Sequence, residues 1–260
     1  MKPFLYATII LYALSFITVV VHNISGSKAL EKASKAFLVL GLLVHTAGLI
    51  QRISSTGHAP MASMYETLVF YSWTAVLVSV IVIFRYSERA TELFTVPVSV
   101  LAILFALANE KPGGPLTLIL RTRWFETHVT ASFAAYAFFT LAFSGAMLYL
   151  INYSRGKQEP ELKKFQEIAA RCVMWGFFFF SASMFAGAVW AYLAWGTYWL
   201  WEPKIIWSFI VWFYYAGAMH AYFVKEWRGR GLTVATVIGF FVVLFTYLGV
   251  SMLMKSSHSF

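Results

Sequence analysis

Eight long apolar runs constrain this chain more than any other feature of its sequence. A helix needs about 20 apolar residues to cross the hydrocarbon core of a bilayer, and most of the runs approach that length. Lipid cannot satisfy open backbone groups, and the runs lack the alternating polar residues of barrel strands, so helices are predicted. The predicted fold class is an all-α, polytopic integral membrane bundle of about eight transmembrane helices. The runs are Pro3–Val21, Ala36–Ile50, Tyr65–Phe84, Leu93–Ala108, Val129–Ile151, Val173–Ala194, Ile205–Val224 and Leu232–Met254.

The charges agree with a membrane protein. Only 12% of the 260 residues are charged, whereas a soluble domain carries about a quarter. Of the 20 Lys and Arg residues, 13 lie in the loops 22–35, 85–92, 152–172 and 225–231, which the positive-inside rule places in the cytoplasm. Both termini and residues 195–204 are then expected on the outer side, periplasmic or lumenal. The net charge of +9 is therefore a topology signal, and no nucleic-acid partner is expected.

The chain is predicted to form one transmembrane domain over residues 1–260, with a tryptophan-rich outer segment at 190–212. No internal repeat, low-complexity tract or long linker divides it. The charged stretch Ser154–Arg171 is predicted to be a cytoplasmic connector that contains a short amphipathic helix. The single cysteine, Cys172, excludes an intramolecular disulfide and a Cys-x-x-Cys thiol exchanger.

The tryptophan-rich segment favours a binding surface for a flat ligand. Five of the ten tryptophans lie between positions 195 and 212, and a sixth is Trp190. An interfacial aromatic belt without a ligand would distribute its tryptophans over many helices. Trp195 and Trp199 are four residues apart, so they are expected to share one face of a helical turn. Trp207 and Trp212 extend the aromatic surface into the next span.

Three histidines are candidates for ligands near this surface. His128 directly precedes the fifth apolar run, and His258 lies four residues past the eighth, both on the predicted outer side. His220 lies deep in the seventh run. A single membrane histidine can also serve only as a hydrogen-bonding residue between helices, which is the interpretation favoured for His45.

Imidazoles beside an aromatic surface are typical of haem binding. Haem is a flat apolar macrocycle whose iron commonly takes histidine as axial ligand. Its two propionates are anionic, and Lys204, Arg121 and Arg123 are candidate partners for them.

Four segments of the sequence resemble one protein family. The segment "WAYLAWGTYWLWEPKIIWSFIVW" at 190–212, followed by His220, resembles the tryptophan-rich signature of the CcsA/ResC family of system II cytochrome c maturation proteins. The segments "GHAPMASMYETLVFYSW" at 57–73, "WFETHV" at 124–129 and "LGVSMLMKSSHSF" at 248–260 resemble further parts of that family in the same order. Two residues depart from the family pattern: Glu202 stands in place of Asp, and Ser63 in place of Asn.

The resemblance implies a set of site residues. His128 and His258 would be the axial ligands of a haem b at the outer face. His220 would bind a second haem within the membrane, with its partner ligand supplied by a CcsB/ResB companion subunit; His45 is the nearest internal alternative. The other residues that the resemblance places in the haem-binding surface are Trp190, Trp195, Gly196, Tyr198, Trp199, Trp201, Glu202, Pro203, Lys204 and Trp207.

The resemblance also implies a function. The family moves haem outward and presents it to apocytochrome c, whose Cys-x-x-Cys-His thiols add to the haem vinyl groups. The chain would be a subunit of a holocytochrome c synthase, without a catalytic residue of its own, in the bacterial plasma membrane or alternatively the thylakoid. The alternatives are a CcmC-like haem-handling protein, an electron-transfer membrane cytochrome and a transporter without haem.

Overall fold

The structure, a computed structural model, describes residues 1–86, 91–110 and 116–254. Within these ranges the regular structure is entirely helical, which confirms the all-α prediction. The chain divides into two compact units, Met1–Leu120 (unit 1) and Arg121–Phe260 (unit 2), and each is described separately. The prediction of one domain over the whole chain stays a prediction.

Unit 1 is built from four α-helices that form a ring. Helices α1 and α3 each contact both α2 and α4, so the four helices enclose an interior. A short 3₁₀ turn, Leu118–Leu120, follows the fourth helix. The helices are α1 Lys2–Ser25, α2 Lys28–Thr56, α3 Met64–Tyr86 and α4 Glu92–Ala108.

Unit 2 is organised around its first helix. Helix α5 contacts α6 and α8, and α7 packs against both of these neighbours. Phe139 of α5 stacks on Tyr215 of α7 with ring centroids 3.6 Å apart, and Phe143 stacks on Phe240 of α8 at 4.4 Å. The helices are α5 Arg123–Ser154, α6 Glu159–Trp195, α7 Pro203–Phe223 and α8 Arg230–Leu244, with a 3₁₀ turn, Lys225–Trp227, before α8. A π-helical segment, Phe245–Gly249, joins α8 to the short α9, Val250–Leu253.

Described helices cover all eight predicted apolar runs except the last residues of two, Val224 and Met254, and six spans are long and apolar enough to cross a membrane. The chain is therefore a multi-pass membrane protein. Helix α4 is shorter, at 17 residues, and the tryptophans, tyrosines and histidine of α7 lower its hydropathy. The count of eight spans and the outer position of both termini stay predictions. The six are Lys2–Ser25, Lys28–Thr56, Met64–Arg85, Arg123–Ser154, Glu159–Trp195 and Arg230–Leu253.

Helix α6 differs from the prediction at its start. It runs without interruption for 37 residues from Glu159, so the short amphipathic helix expected in the connector is the first part of α6 and not a separate element. Pro160 fits the first turn of the helix, where its missing N–H costs nothing. No later proline interrupts the helix before Trp195, and charged residues in a helix beyond the membrane need no break.

Candidate functional site

The start of α5 carries His128. The Thr122 side chain caps this helix, since its Oγ1 accepts a hydrogen bond from the Phe125 N–H at 3.1 Å. Such a cap satisfies one of the amides left free at a helix N-terminus. His128 lies in the second turn and is half-buried. Its position is therefore fixed by a capped helix and not by a loop.

The His128 imidazole is held in one tautomer. Its Nδ1 lies 2.8 Å from the backbone carbonyl oxygen of Ser183 in α6. A carbonyl oxygen can only accept a hydrogen bond, so Nδ1 carries the proton and Nε2 keeps its lone pair. No described residue hydrogen-bonds Nε2. A histidine that binds a metal through one nitrogen commonly donates from the other to a carbonyl group, so His128 has the arrangement of a ligand.

Two serine hydroxyls reinforce this contact. Ser132 Oγ and Ser183 Oγ are 2.5 Å apart. Both also lie within hydrogen-bond distance of the His128 carbonyl oxygen, at 2.8 Å and 3.0 Å. The hydroxyls thus join the second turn of α5 to α6 beside the imidazole.

Gly187 allows α6 to approach the imidazole. A Cβ atom at this position would lie 2.6 Å from His128 Nδ1, a distance that packed atoms do not adopt. Gly187 is four residues after Ser183, so the two lie on one face of α6. This spacing of small residues is typical of close helix contact in membranes. The sequence analysis did not identify Ser183, Ser132 or Gly187, although that spacing was available as a signal.

Trp190 packs against the imidazole from α6. Its ring is nearly parallel to that of His128, with centroids 6.2 Å apart and an angle of 15°. Phe125 contacts the same indole at 5.1 Å, and Trp195 meets it edge-on at 4.9 Å. The structure therefore places Trp190 against His128, and Trp195 packs against Trp190.

Local sequence explains the loop between α6 and α7. Gly196 ends α6 in the left-handed conformation, with φ of 74°, a region that glycine enters at little cost. Glu202 is the N-cap position of α7, and Pro203 occupies its first turn. Trp195 and Trp199 therefore do not share a helical turn. That prediction is wrong because Gly196 stops the helix between them.

The remaining tryptophans of the segment point to different neighbours. Trp199 packs on Phe209 at 4.9 Å, and Trp207 packs on Phe245 of the π segment at 4.6 Å. The Trp212 N–H donates to Ser181 Oγ at 2.9 Å. The Trp201 side chain is 76% exposed, and its ring stacks on the same Phe209 with centroids 6.2 Å apart. The segment is thus not one continuous aromatic sheet.

A cavity of about 110 Å³ lies beside His128. Tyr198, Trp199 and Lys204 also line it, together with the hydroxyls of Ser132, Ser183 and Ser208. Pockets that enclose a drug-sized ligand have about 300–1,000 Å³. The cavity therefore has room for an edge or a side arm of a macrocycle and not for the whole ring.

Lys204 connects the start of α7 to the π segment and to α9. Its Nζ donates to the Tyr247 carbonyl oxygen at 3.1 Å and to Ser251 Oγ at 2.5 Å. It also lies 5.4 Å from the centre of the Tyr247 ring. The predicted pairing of Lys204 with a propionate would require the ammonium to exchange these acceptors. Arg121 and Arg123, the other predicted cations, are exposed at the start of α5.

The other candidate histidines lie elsewhere. His220 is exposed near the end of α7 and has no hydrogen bond to a described residue. His45 is 0% exposed within unit 1, where its Nδ1 lies 3.3 Å from the Tyr12 hydroxyl. His258 lies outside the described residues, so its predicted pairing with His128 stays a prediction.

Taken together, fold and site define a helical, multi-pass membrane protein with an imidazole and an aromatic cavity at the ends of its spans. The family model described as "Cytochrome C assembly protein" matches residues 61–258. The chain therefore belongs to the cytochrome c assembly protein family, and its resemblance to CcsA/ResC proteins is confirmed.

Relatives in photosynthetic organisms support the same conclusion, and each is named cytochrome c biogenesis protein CcsA. The relative in Chlamydomonas reinhardtii is 29% identical over 96% of this chain and 72% of its own length. Those in Prochlorococcus marinus (strain AS9601) and Guillardia theta are 30% and 29% identical, over 90% and 85% of this chain and 87% and 83% of their own. These likenesses support a role in cytochrome c biogenesis.

Proposed function

We propose that this chain binds haem, moves it to the outer face of the membrane and presents it to apocytochrome c, together with a CcsB/ResB-like companion subunit. The observation that carries the proposal is the His128 imidazole. Its Nδ1 is committed to the Ser183 carbonyl, and its Nε2 is left as a free nitrogen ligand beside an aromatic cavity.

The residues around His128 fit a haem b. An iron centre needs a nitrogen lone pair, which Nε2 supplies, and the macrocycle needs apolar faces, which Trp190, Tyr198 and Trp199 supply. The small cavity suits one side arm of the macrocycle. Lys204 lies in its wall, where its ammonium would pair with a propionate in exchange for Tyr247 and Ser251. His258 is proposed as the second axial ligand.

His220 is proposed as a ligand of a second haem within the membrane. An ionisable side chain at membrane depth is costly, and its exposure leaves the imidazole open to a group outside the described chain. His45 is a poorer partner because it is buried and already faces Tyr12. The companion subunit is therefore the proposed source of the second ligand.

The chemistry of attachment comes from the reactants. Haem supplies the vinyl groups and the apocytochrome supplies the two thiols and a histidine. The chain contributes placement, which lowers the entropic part of the barrier. In this sense it is proposed as a subunit of a holocytochrome c synthase in the bacterial plasma membrane or the thylakoid, with both termini on the outer side.

The test is copurification of the chain with a CcsB/ResB-like subunit, followed by absorption spectroscopy. We expect a bis-histidine haem spectrum that His128→Ala, His258→Ala and His220→Ala each change, with recovery at the outer site on addition of free imidazole. A colourless complex would favour a transporter. Haem without maturation of a cytochrome c reporter would favour electron transfer, and maturation without a companion would favour a CcmC-like role.

A further inference from the structure

Polar side chains line the interior of unit 1, and the haem proposal gives them no role. In α1, Thr8, Tyr12 and Ser15 recur at helical spacing and are 0% exposed. Ser34 and His45 of α2 are equally buried. Residues three, four or seven apart share one helix face. Helix α1 therefore turns a polar stripe toward the inside of the ring, whereas α2 adds two separate polar residues, with Leu38 and Leu42 buried between them.

The other two helices add similar stripes. Ser72 and Ser79 of α3 are seven residues apart, and Glu92, Thr95 and Ser99 of α4 follow the spacing of one face. All five are 0% exposed. Polar residues inside a membrane bundle are costly and often mark functional sites. The alternative is a purely structural role, in which these side chains join the helices by hydrogen bonds. That role requires a hydrogen-bond partner for each side chain.

At one end of the interior, the polar groups bond to each other. The Glu92 carboxylate accepts hydrogen bonds from Ser34 Oγ at 2.9 Å and from Ser15 Oγ at 3.4 Å. The two serine hydroxyls are 3.3 Å apart. A carboxylate and two hydroxyls thus form a polar cluster where α4 begins.

Deeper in the interior, several buried polar atoms have no hydrogen-bond partner among the described residues. His45 Nε2 makes no hydrogen bond to any described residue. The hydroxyls of both α3 serines and of Ser99 are likewise without a partner among the residues described. A buried polar group left unsatisfied costs about 1–3 kcal/mol, and bound water is what satisfies such groups in folded proteins.

The polar stripes give way to apolar residues in all four helices. The next inward position is Leu5 in α1, Leu49 in α2, Leu68 in α3 and Ile103 in α4, each at most 5% exposed. We call these four buried apolar residues, which lie on the side of the polar positions away from Glu92, the apolar layer. The polar groups of α1, α3 and α4 therefore continue toward the Glu92 end, and apolar groups lie toward the other.

We propose that unit 1 encloses a chain of bound water, closed at one end, that carries protons between Glu92 and His45. Each water or hydroxyl oxygen in the chain takes up one proton as it releases another, so no redox partner or leaving group is needed. His45 accepts the last proton through Nε2, and release follows the same route in reverse. The other titratable group facing His45 is Tyr12; Tyr65 and Glu66 of α3 lie beyond the apolar layer.

Exchange of a cysteine S–H proton for deuterium tests whether water reaches these positions. Four single-cysteine variants of the full chain, in a Cys172→Ala background, form two matched pairs: Ser99→Cys with Ile103→Cys, and Ser72→Cys with Leu68→Cys. Infrared spectroscopy in heavy water follows the S–H band. We expect rapid exchange at the two serine positions and retained S–H protons one helical turn away. Equal exchange within each pair, whether fast or slow, would overturn the proposal.

His45 is tested by NMR of the full chain, with nitrogen-labelled histidine, in lipid nanodiscs. His45→Gln identifies the His45 signals by removing them, and circular dichroism verifies that the variant is folded. We expect an Nε2 signal averaged between its unprotonated and protonated forms by proton exchange with water. An Nε2 signal without such exchange would overturn the assignment of His45 as the proton acceptor, independently of any result on haem.

Discussion

Units 1 and 2 use similar apolar helices to hold polar residues in opposite ways. In unit 2, His128 and its hydroxyl neighbours line a cavity, and their backbone and side-chain contacts leave one ring nitrogen free. In unit 1, ten inward polar residues are sealed from the surface. The difference indicates that unit 2 is suited to the edge of a large ligand and unit 1 to ligands the size of water.

The largest expected effect is on stability, and it comes from breaking a buried ion pair in unit 1. Arg52 Nε lies 2.8 Å from Glu66 Oε1, and the Glu66 side chain is 1% exposed. Arg52→Met removes the arginine partner of a buried carboxylate, which lowers the free energy of unfolding by about 3–5 kcal/mol. Denaturation in detergent, followed by circular dichroism, measures the change.

The control for Arg52→Met is Lys35→Met, which breaks the exposed pair between Lys35 and Glu31. Its cost is expected to stay below about 1 kcal/mol, because surface pairs contribute little. The haem spectrum should be the same in both variants. A spectrum altered by Arg52→Met would contradict the assignment of the outer haem site to unit 2 alone.

Gly187→Ala is expected to have the next largest effect, and it acts on unit 2. The added methyl group would displace the His128 ring from Ser183, and loss of such a supporting contact lowers metal affinity about 10- to 100-fold. Haem titration measures the affinity, and free imidazole should restore the spectrum. Gly176→Ala is the matched control on the same helix, because its methyl group meets the Phe139 ring instead. It should lower stability and leave haem affinity unchanged; equal losses of affinity would contradict a positioning role for Gly187.

Lys204→Met tests the connection from α7 to the π segment and α9. Hydrogen bonds to a charged group contribute about 1.5–3 kcal/mol, so a loss of about 2 kcal/mol is expected in the free energy of unfolding. Ser251→Ala removes one acceptor and keeps the Tyr247 carbonyl, so its effect should be smaller. Thermal unfolding of both variants gives the comparison. If Ser251→Ala costs as much as Lys204→Met, the carbonyl contact contributes nothing.

The smallest effect on stability is expected from Trp201→Ala. The side chain is 76% exposed, and substitutions at such positions change stability by about 0.5 kcal/mol or less. Haem content of the copurified complex should nevertheless fall if Trp201 contacts the macrocycle. Trp227→Ala removes another exposed indole, 60% exposed, and serves as the control. Equal haem content in the two variants would remove Trp201 from the proposed site.

Most of the fold was predictable because a membrane leaves the backbone few choices. Six of the eight apolar runs fall within one described helix, the seventh extends one residue past α7, and the eighth spans α8, the π segment and α9. The ends were less predictable: α2 begins at Lys28, eight residues before the apolar run that starts at Ala36. Hydropathy marks the part of a helix that meets lipid, and a helix continues beyond it until a capping residue or a turn.

The site was predictable in part. His128, Trp190 and Lys204 follow from residue type and family resemblance, and the structure places all three around one cavity. The contact between His128 and Ser183 joins residues 55 positions apart, and local sequence patterns carry no signal for such a pairing. Gly196 lies between Trp195 and Trp199 in the sequence, and a glycine commonly ends a helix. The prediction that the two tryptophans share a helical turn did not take this into account.

The π segment Phe245–Gly249 has a consequence for the register of the last span. A wider turn of this kind accommodates one residue more than an α-helical turn, and each residue of an α-helix advances by about 100° around the axis. Shortening the segment by a single residue would therefore swing Ser251 about a quarter-turn away from Lys204. The ammonium contact thus depends on an exact residue count, and a length change in the segment would be more disruptive than most substitutions within it.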